Sequence, residues 1–120
     1  MTILETIKQL LGISVEDVSF DLDIVIFINT TLAALYQMGI DEANEVGIVD
    51  ETTMWEDLVD DRTDLEPLKT YIYFKVKSMF DPPTNSSMRE AMDRVIKELE
   101  WRITNMNLVN KVSEEVSKDE

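Results

Sequence analysis

Residues 81–84 read Asp-Pro-Pro-Thr, and two consecutive prolines end any helix that reaches them. Neither can donate a backbone hydrogen bond, and each pushes the residue before it out of the helical region. Before this stop, Leu68, Tyr71, Ile72, Val76, Met79 and Phe80 recur at helical spacing, opened by Asp64-Leu-Glu-Pro67, a capping residue with a first-turn proline. After it, Ser87-Met-Arg-Glu90 has the form of a capping box, and Met88, Met92, Val95, Leu99, Arg102/Ile103 and Met106 follow in heptad-like steps. The pattern predicts two long helices, about 64–80 and about 87–106. The turn between them is too short for any arrangement but antiparallel neighbours with facing apolar stripes.

The rest of the chain reads as helical support for this pair. Thr2-Ile-Leu-Glu5 is another capping box, and Ile3, Leu4, Ile7, Leu10 and Leu11 form one stripe before Gly12, which predicts a short docking helix. From Phe20 to Met38 the positions Leu22, Val25, Ile28/Asn29, Leu32, Leu35 and Met38 recur at helical steps and predict a further helix, with Gly39 as its left-handed C-cap. The run Ile24–Ile28 also suits a buried strand, but the Leu-Ala-Ala-Leu continuation favours helix. Residues 40–63 are connecting chain broken at Asn44 and Gly47, with one short helix expected at about 53–59, capped by Thr53 with Glu56 three residues on. The fold class is all-α, a small bundle with one domain over 1–106. Residues 107–120 form a flexible C-terminal tail whose three apolar repeats are too few to hold a helix in a lone chain.

Charge narrows the function. The 120 residues carry 25 acids and 11 bases, a formal net charge of −14, and neither Cys nor His. Disulfides, thiolate zinc sites, cysteine nucleophiles and imidazole catalysis are excluded, and free binding to nucleic-acid phosphates is disfavoured. No glycine-rich phosphate loop is present. The Asp60-Asp61-Asp64 group lacks the spacing of a calcium loop, so no metal or cofactor is expected, and an enzyme is not expected. Nothing near Met1 resembles a targeting leader, and Ile24–Ile28 is far short of a membrane span, so the chain is expected in the cytosol where it is made and not in a membrane.

The acids are concentrated. Positions 1–70 hold 16 acids and 3 bases, whereas positions 71–120 hold 9 acids and 8 bases. Between Asp41 and Glu66 stand eleven carboxylates and one base, Arg62, enough to give that surface a strong negative potential. A solvated face accounts for this equally well as a surface that meets a basic partner or keeps DNA from sticking. Tyr73 and Trp101 lie off the main apolar stripes and are candidate subunit contacts, where large amphipathic side chains are enriched.

The segment Leu68–Thr84, with Phe80-Asp-Pro-Pro-Thr84 its most specific element, and the later Lys97-Glu-Leu-Glu-Trp-Arg-Ile103 resemble the head-tail connector proteins of tailed bacteriophages, also called head-completion or portal adaptor proteins. The resemblance includes the helix ending Leu-Leu-Gly-Ile13 and covers about residues 1–105. It implies a non-catalytic virion subunit, assembled in the bacterial host cytoplasm. Twelve copies would form a ring below the portal, contact the tail or head-closure protein, and continue the DNA channel. Candidate channel or partner residues are then Asp41, Glu42, Glu45, Asp50, Glu51, Glu56, Asp57, Asp60 and Asp61, because a carboxylate wall repels phosphates and lets duplex slide. Lys75, Lys77, Arg89, Arg94 and Arg102 join Tyr73 and Trp101 as candidate contacts between copies, and Val109, Val112 and Val116 become candidate portal-docking positions. The competing reading is an acidic, phage-encoded DNA mimic that inhibits a host DNA-binding protein. The nearly neutral last fifty residues weigh against it.

Overall fold

The computed structural model describes residues 1–37, 49–58 and 65–118, with side chains placed for 1–37, 49–58 and 66–105. Five helices lie among these residues: α1 (Ile3–Leu11), α2 (Asp21–Gln37), α3 (Trp55–Leu58), α4 (Leu65–Phe80) and α5 (Ser86–Lys118). α4 is the centre of the bundle. It packs against α1, α2 and α5, while α2 and α5 make no extended contact with each other. The result is a slab of 52 × 35 × 20 Å, and the 33 residues of α5 supply its long axis at about 50 Å for 1.5 Å per residue.

The core is one cluster. Ile3, Leu4 and Ile7 come from α1, Ile24, Ile28, Leu32 and Leu35 from α2, Leu68, Tyr71, Ile72 and Val76 from α4, and Met92, Ile96, Leu99 and Ile103 from α5. The turn at 81–85 folds α5 back along α4, so that Tyr71, midway along α4, reaches Glu100, midway along α5. Phe80, at the mouth of the turn, packs edge-on against Phe20 with ring centroids 5.3 Å apart.

α1 has the capping box expected of it. Glu5 N–H donates to Thr2 Oγ1 at 3.1 Å, and the Glu5 carboxylate accepts from the Thr2 backbone. Gly12 closes the helix at φ 81°, a left-handed value that an L side chain resists. The short bridge Thr2–Met54, with Ile3 N–H donating to Thr53 O at 3.0 Å, ties this end to the chain before α3.

Several expectations are corrected. On α1, Leu10 is exposed, because the buried stripe turns towards Lys8. On α2 the buried face is Ile24, Ile28, Thr31, Leu32 and Leu35, while Leu22 is 74% exposed. Val25 packs against the core from the side, and only Leu22 falls off the buried face, because α2 is apolar on nearly every side. The short helix begins at Trp55 rather than at 53, and Val59 lies outside the described residues. Asp57, not Glu56, reaches back to its start, accepting from Met54 N–H at 2.9 Å. For α5 the cap is Asn85, whose Oδ1 accepts from the N–H groups of Ser87 (2.8 Å) and Met88 (3.3 Å), so the helix begins one residue earlier than the Ser87 box implies. Its helical backbone runs on to Lys118 instead of ending near 106. No proline or glycine occurs from Ser86 to Lys118, so the chain contains nothing that stops the helix. Met38, Gly39, Asn44, Gly47 and Asp64 lie outside the described residues.

Candidate interaction surfaces

The expected acidic face is described in part. Asp50, Glu51, Glu56 and Asp57 are all exposed, whereas Asp41, Glu42, Glu45, Asp60 and Asp61 lie outside the described residues. Two of the four also build local structure. Asp50 Oδ1 accepts from Thr52 N–H (2.8 Å), Thr52 Oγ1 (2.7 Å) and Thr53 Oγ1 (3.2 Å). These bonds, those from Thr52 first, hold its carboxyl below the usual range. Asp57 caps α3. Glu51 and Glu56 have no such task and are the freer contributors to negative surface potential.

The segment carrying Asp50 is held by a polar side chain that the sequence pattern places beside Ile28 on the α2 stripe but gives no role. Asn29 on α2 donates through Nδ2 to Val49 O at 3.0 Å and accepts at Oδ1 from Val49 N–H at 2.8 Å. This double bond imitates a strand ladder and fixes residues 49–52 beside the start of α2. Between them lies an open groove of 580 Å³, lined by Val18, Asp21, Leu22, Val25, Asp50, Glu51 and Thr52. Val18 and Leu22 on its lining are exposed, and the exposed Asp50 and Glu51 stand beside them.

A second unexpected element positions the same groove. Lys8 on α1 is only 2% exposed, and its Nζ meets Asp21 Oδ1 at 2.8 Å, Asp17 O at 2.7 Å and Val15 O at 3.0 Å. A buried ammonium needs such a set of oxygens to offset its lost hydration. The set pins the linker between α1 and α2. On a helix so rich in apolar residues, a single lysine gave a signal of solvent exposure, not of burial.

The candidate subunit contacts fall on two helices. On α4, Tyr73 and Lys75 are half-buried, Tyr73 rests against Phe74 with centroids 5.3 Å apart, and Lys77 pairs with Asp81 at 3.7 Å. On α5, Arg89 and Arg94 are exposed, Arg102 pairs with Glu98 at 3.6 Å, and Trp101 is 70% exposed. Helical spacing sets Lys97 and Arg94 one and two turns before Trp101, on the side away from the buried Met92, Ile96, Leu99 and Ile103. Val109, Val112 and Val116 recur at steps of three and four along the last turns of the α5 backbone.

Fold and surfaces define a small all-α protein with exposed apolar side chains on α2 and an exposed tryptophan among acidic and basic residues on α5. The model of the phage connector protein family matches residues 3–108, and the chain belongs to that family. The role that follows is structural, that of a connector in a phage particle. No curated protein and no solved structure matches the chain. Among the described residues no helix is long and apolar enough to cross a membrane.

Proposed function

We propose that the chain is a head-tail connector that assembles as a ring of copies, twelve in number, below the portal of a DNA-filled head. There it extends the DNA channel towards the tail or head-closure protein. The observation that carries this reading is membership of the connector family over residues 3–108. The distribution of charge supports it, since the ring needs one surface that repels DNA phosphates and others that hold copies together. Glu51 and Glu56, with Asp50 and Asp57 beside them, belong to the first kind, and Asp41, Glu42, Glu45, Asp60 and Asp61 are proposed to extend it. Duplex passes such a wall without specific binding.

The last turns of α5 are proposed to dock on the portal through Val109, Val112 and Val116, an apolar edge suited to a groove on the partner. The whole particle component is built in the host cytoplasm and retained in the virion. The test is co-sedimentation of the purified protein with DNA-filled heads that carry the portal and with heads that lack it. Binding only where the portal is present is expected, and equal binding to both overturns the assignment.

A further inference from the structure

We infer that electrostatic repulsion sets when copies of this chain associate: they are held apart at low ionic strength and join as dissolved salt screens their charge. The inference rests on the reading that copies assemble, and it adds the condition under which they do so.

Two observations carry it. First, the charge is concentrated on one flank of the slab. α1, α2 and the 49–58 segment lie together, tied by the two Asn29–Val49 bonds and by Ile3 N–H donating to Thr53 O. Residues 1–37 and 49–58 hold nine acids and a single base, Lys8. Seven of the nine acids are exposed, all but Glu5 and Asp21. Lys8 offers nothing to a neighbour, because it is buried and its Nζ is held by Asp21 Oδ1 and two carbonyls.

Second, among the described residues no surface carries the positive charge that would neutralise this flank in a neighbouring copy. Residues 66–105 hold seven bases and six acids. On the exposed side of α5 the two signs alternate, since Glu90 stands one turn from Arg94, Asp93 from Lys97 and Glu98 from Arg102. Lys69, Lys77 and Arg102 already meet Glu66, Asp81 and Glu98 of their own chain.

Two copies of net charge −14 thus meet with a repulsion that their contacts do not cancel, and a high net charge of one sign keeps free chains dispersed. The reach of that repulsion is the Debye length, about 10 Å at 0.1 M salt and about 3 Å at 1 M. The slab is 35 Å across its middle dimension. At low salt the fields of two touching copies overlap through much of that width, and at high salt each field is confined to its own surface.

The test is sedimentation velocity of the full chain from about 0.1 M to about 1 M NaCl, over which association between copies should strengthen by about 30-fold. A variant carrying Glu16→Gln, Asp23→Asn, Glu51→Gln and Glu56→Gln removes four exposed negative charges. Repulsion follows the product of the two net charges, so this variant feels about half of it. It should associate more tightly than wild type at low salt, and its own rise with salt should be about 5-fold.

Association that is absent at every salt concentration, or that is unchanged or weaker at high salt, overturns the inference. So does a rise of equal size in wild type and variant, which would assign the effect to apolar contacts strengthened by salt. Co-sedimentation with portal-bearing heads is measured separately, and binding retained there with any of these results leaves the ring reading standing.

Discussion

Lys8→Met tests the least expected feature of the fold. Methionine keeps most of the apolar stem and deletes the charge, so the change isolates the ammonium and its three oxygens, Asp21 Oδ1, Asp17 O and Val15 O. Removing one member of a buried ion pair costs about 3–5 kcal/mol, because the other is left uncompensated. Asp21 is 20% exposed, so water recovers part of its solvation and the lower end applies, about 3 kcal/mol. For a chain of this length about 1 kcal/mol moves the midpoint by roughly 4 °C, so thermal unfolding followed by circular dichroism should show a fall of about 12 °C. A melting temperature within about 2 °C of wild type would refute the reasoning: the ammonium would then be solvated, and the linker held by something else.

Leu99→Ala removes a buried side chain from the α4–α5 seam and should cost about 2–5 kcal/mol in denaturant unfolding; an unchanged midpoint would take Leu99 out of the core. Tyr71 is buried and donates to Glu100 at 3.2 Å, and burial first, then the Glu100 charge, raises its phenol above the ordinary value. Its stabilising contribution is complete below the unfolded value near 10 and is lost as pH rises above it, so Tyr71→Phe should flatten the alkaline arm of the stability curve. Reversing Asp41, Glu42, Glu45 and Glu56 to Lys avoids the turn-building Asp50 and Asp57; it should leave folding intact and slow DNA ejection, and unaltered ejection would return the acids to a merely solvated face. Truncation after Asn107 should leave thermal stability nearly unchanged while reducing co-sedimentation with portal-bearing heads, and equal attachment would refute docking by Val109, Val112 and Val116.

How much of this was legible depended on whether local chemistry or tertiary packing decided each feature. The Asp81-Pro-Pro stop, the Thr2–Glu5 box and the Gly12 cap are local, and the helices they bound lie where the sequence places them. The face that α2 buries was not legible, since Leu22, Ile26 and Ile28 are equally apolar and only the position of α4 decides which of them is covered. Capping acids were legible by type and misplaced by a residue, Asp57 serving where Glu56 was expected. The end of α5 escaped pattern reading because an apolar stripe reports packing, and a helix continues without one when nothing in its backbone forbids it. Buried Lys8 and the Asn29 clamp depend on partners far apart in sequence, which spacing alone does not reveal. Trp101 was legible as an exposed aromatic from its place off the stripe.

The central claim, a connector ring continuing the portal channel, is tested most directly by electron cryo-microscopy of DNA-filled, portal-bearing heads incubated with the purified protein. The account predicts a closed ring of copies coaxial with the portal, with the channel continuous through both. Heads with no added density at the portal vertex, or with copies bound singly away from the channel axis, would contradict it.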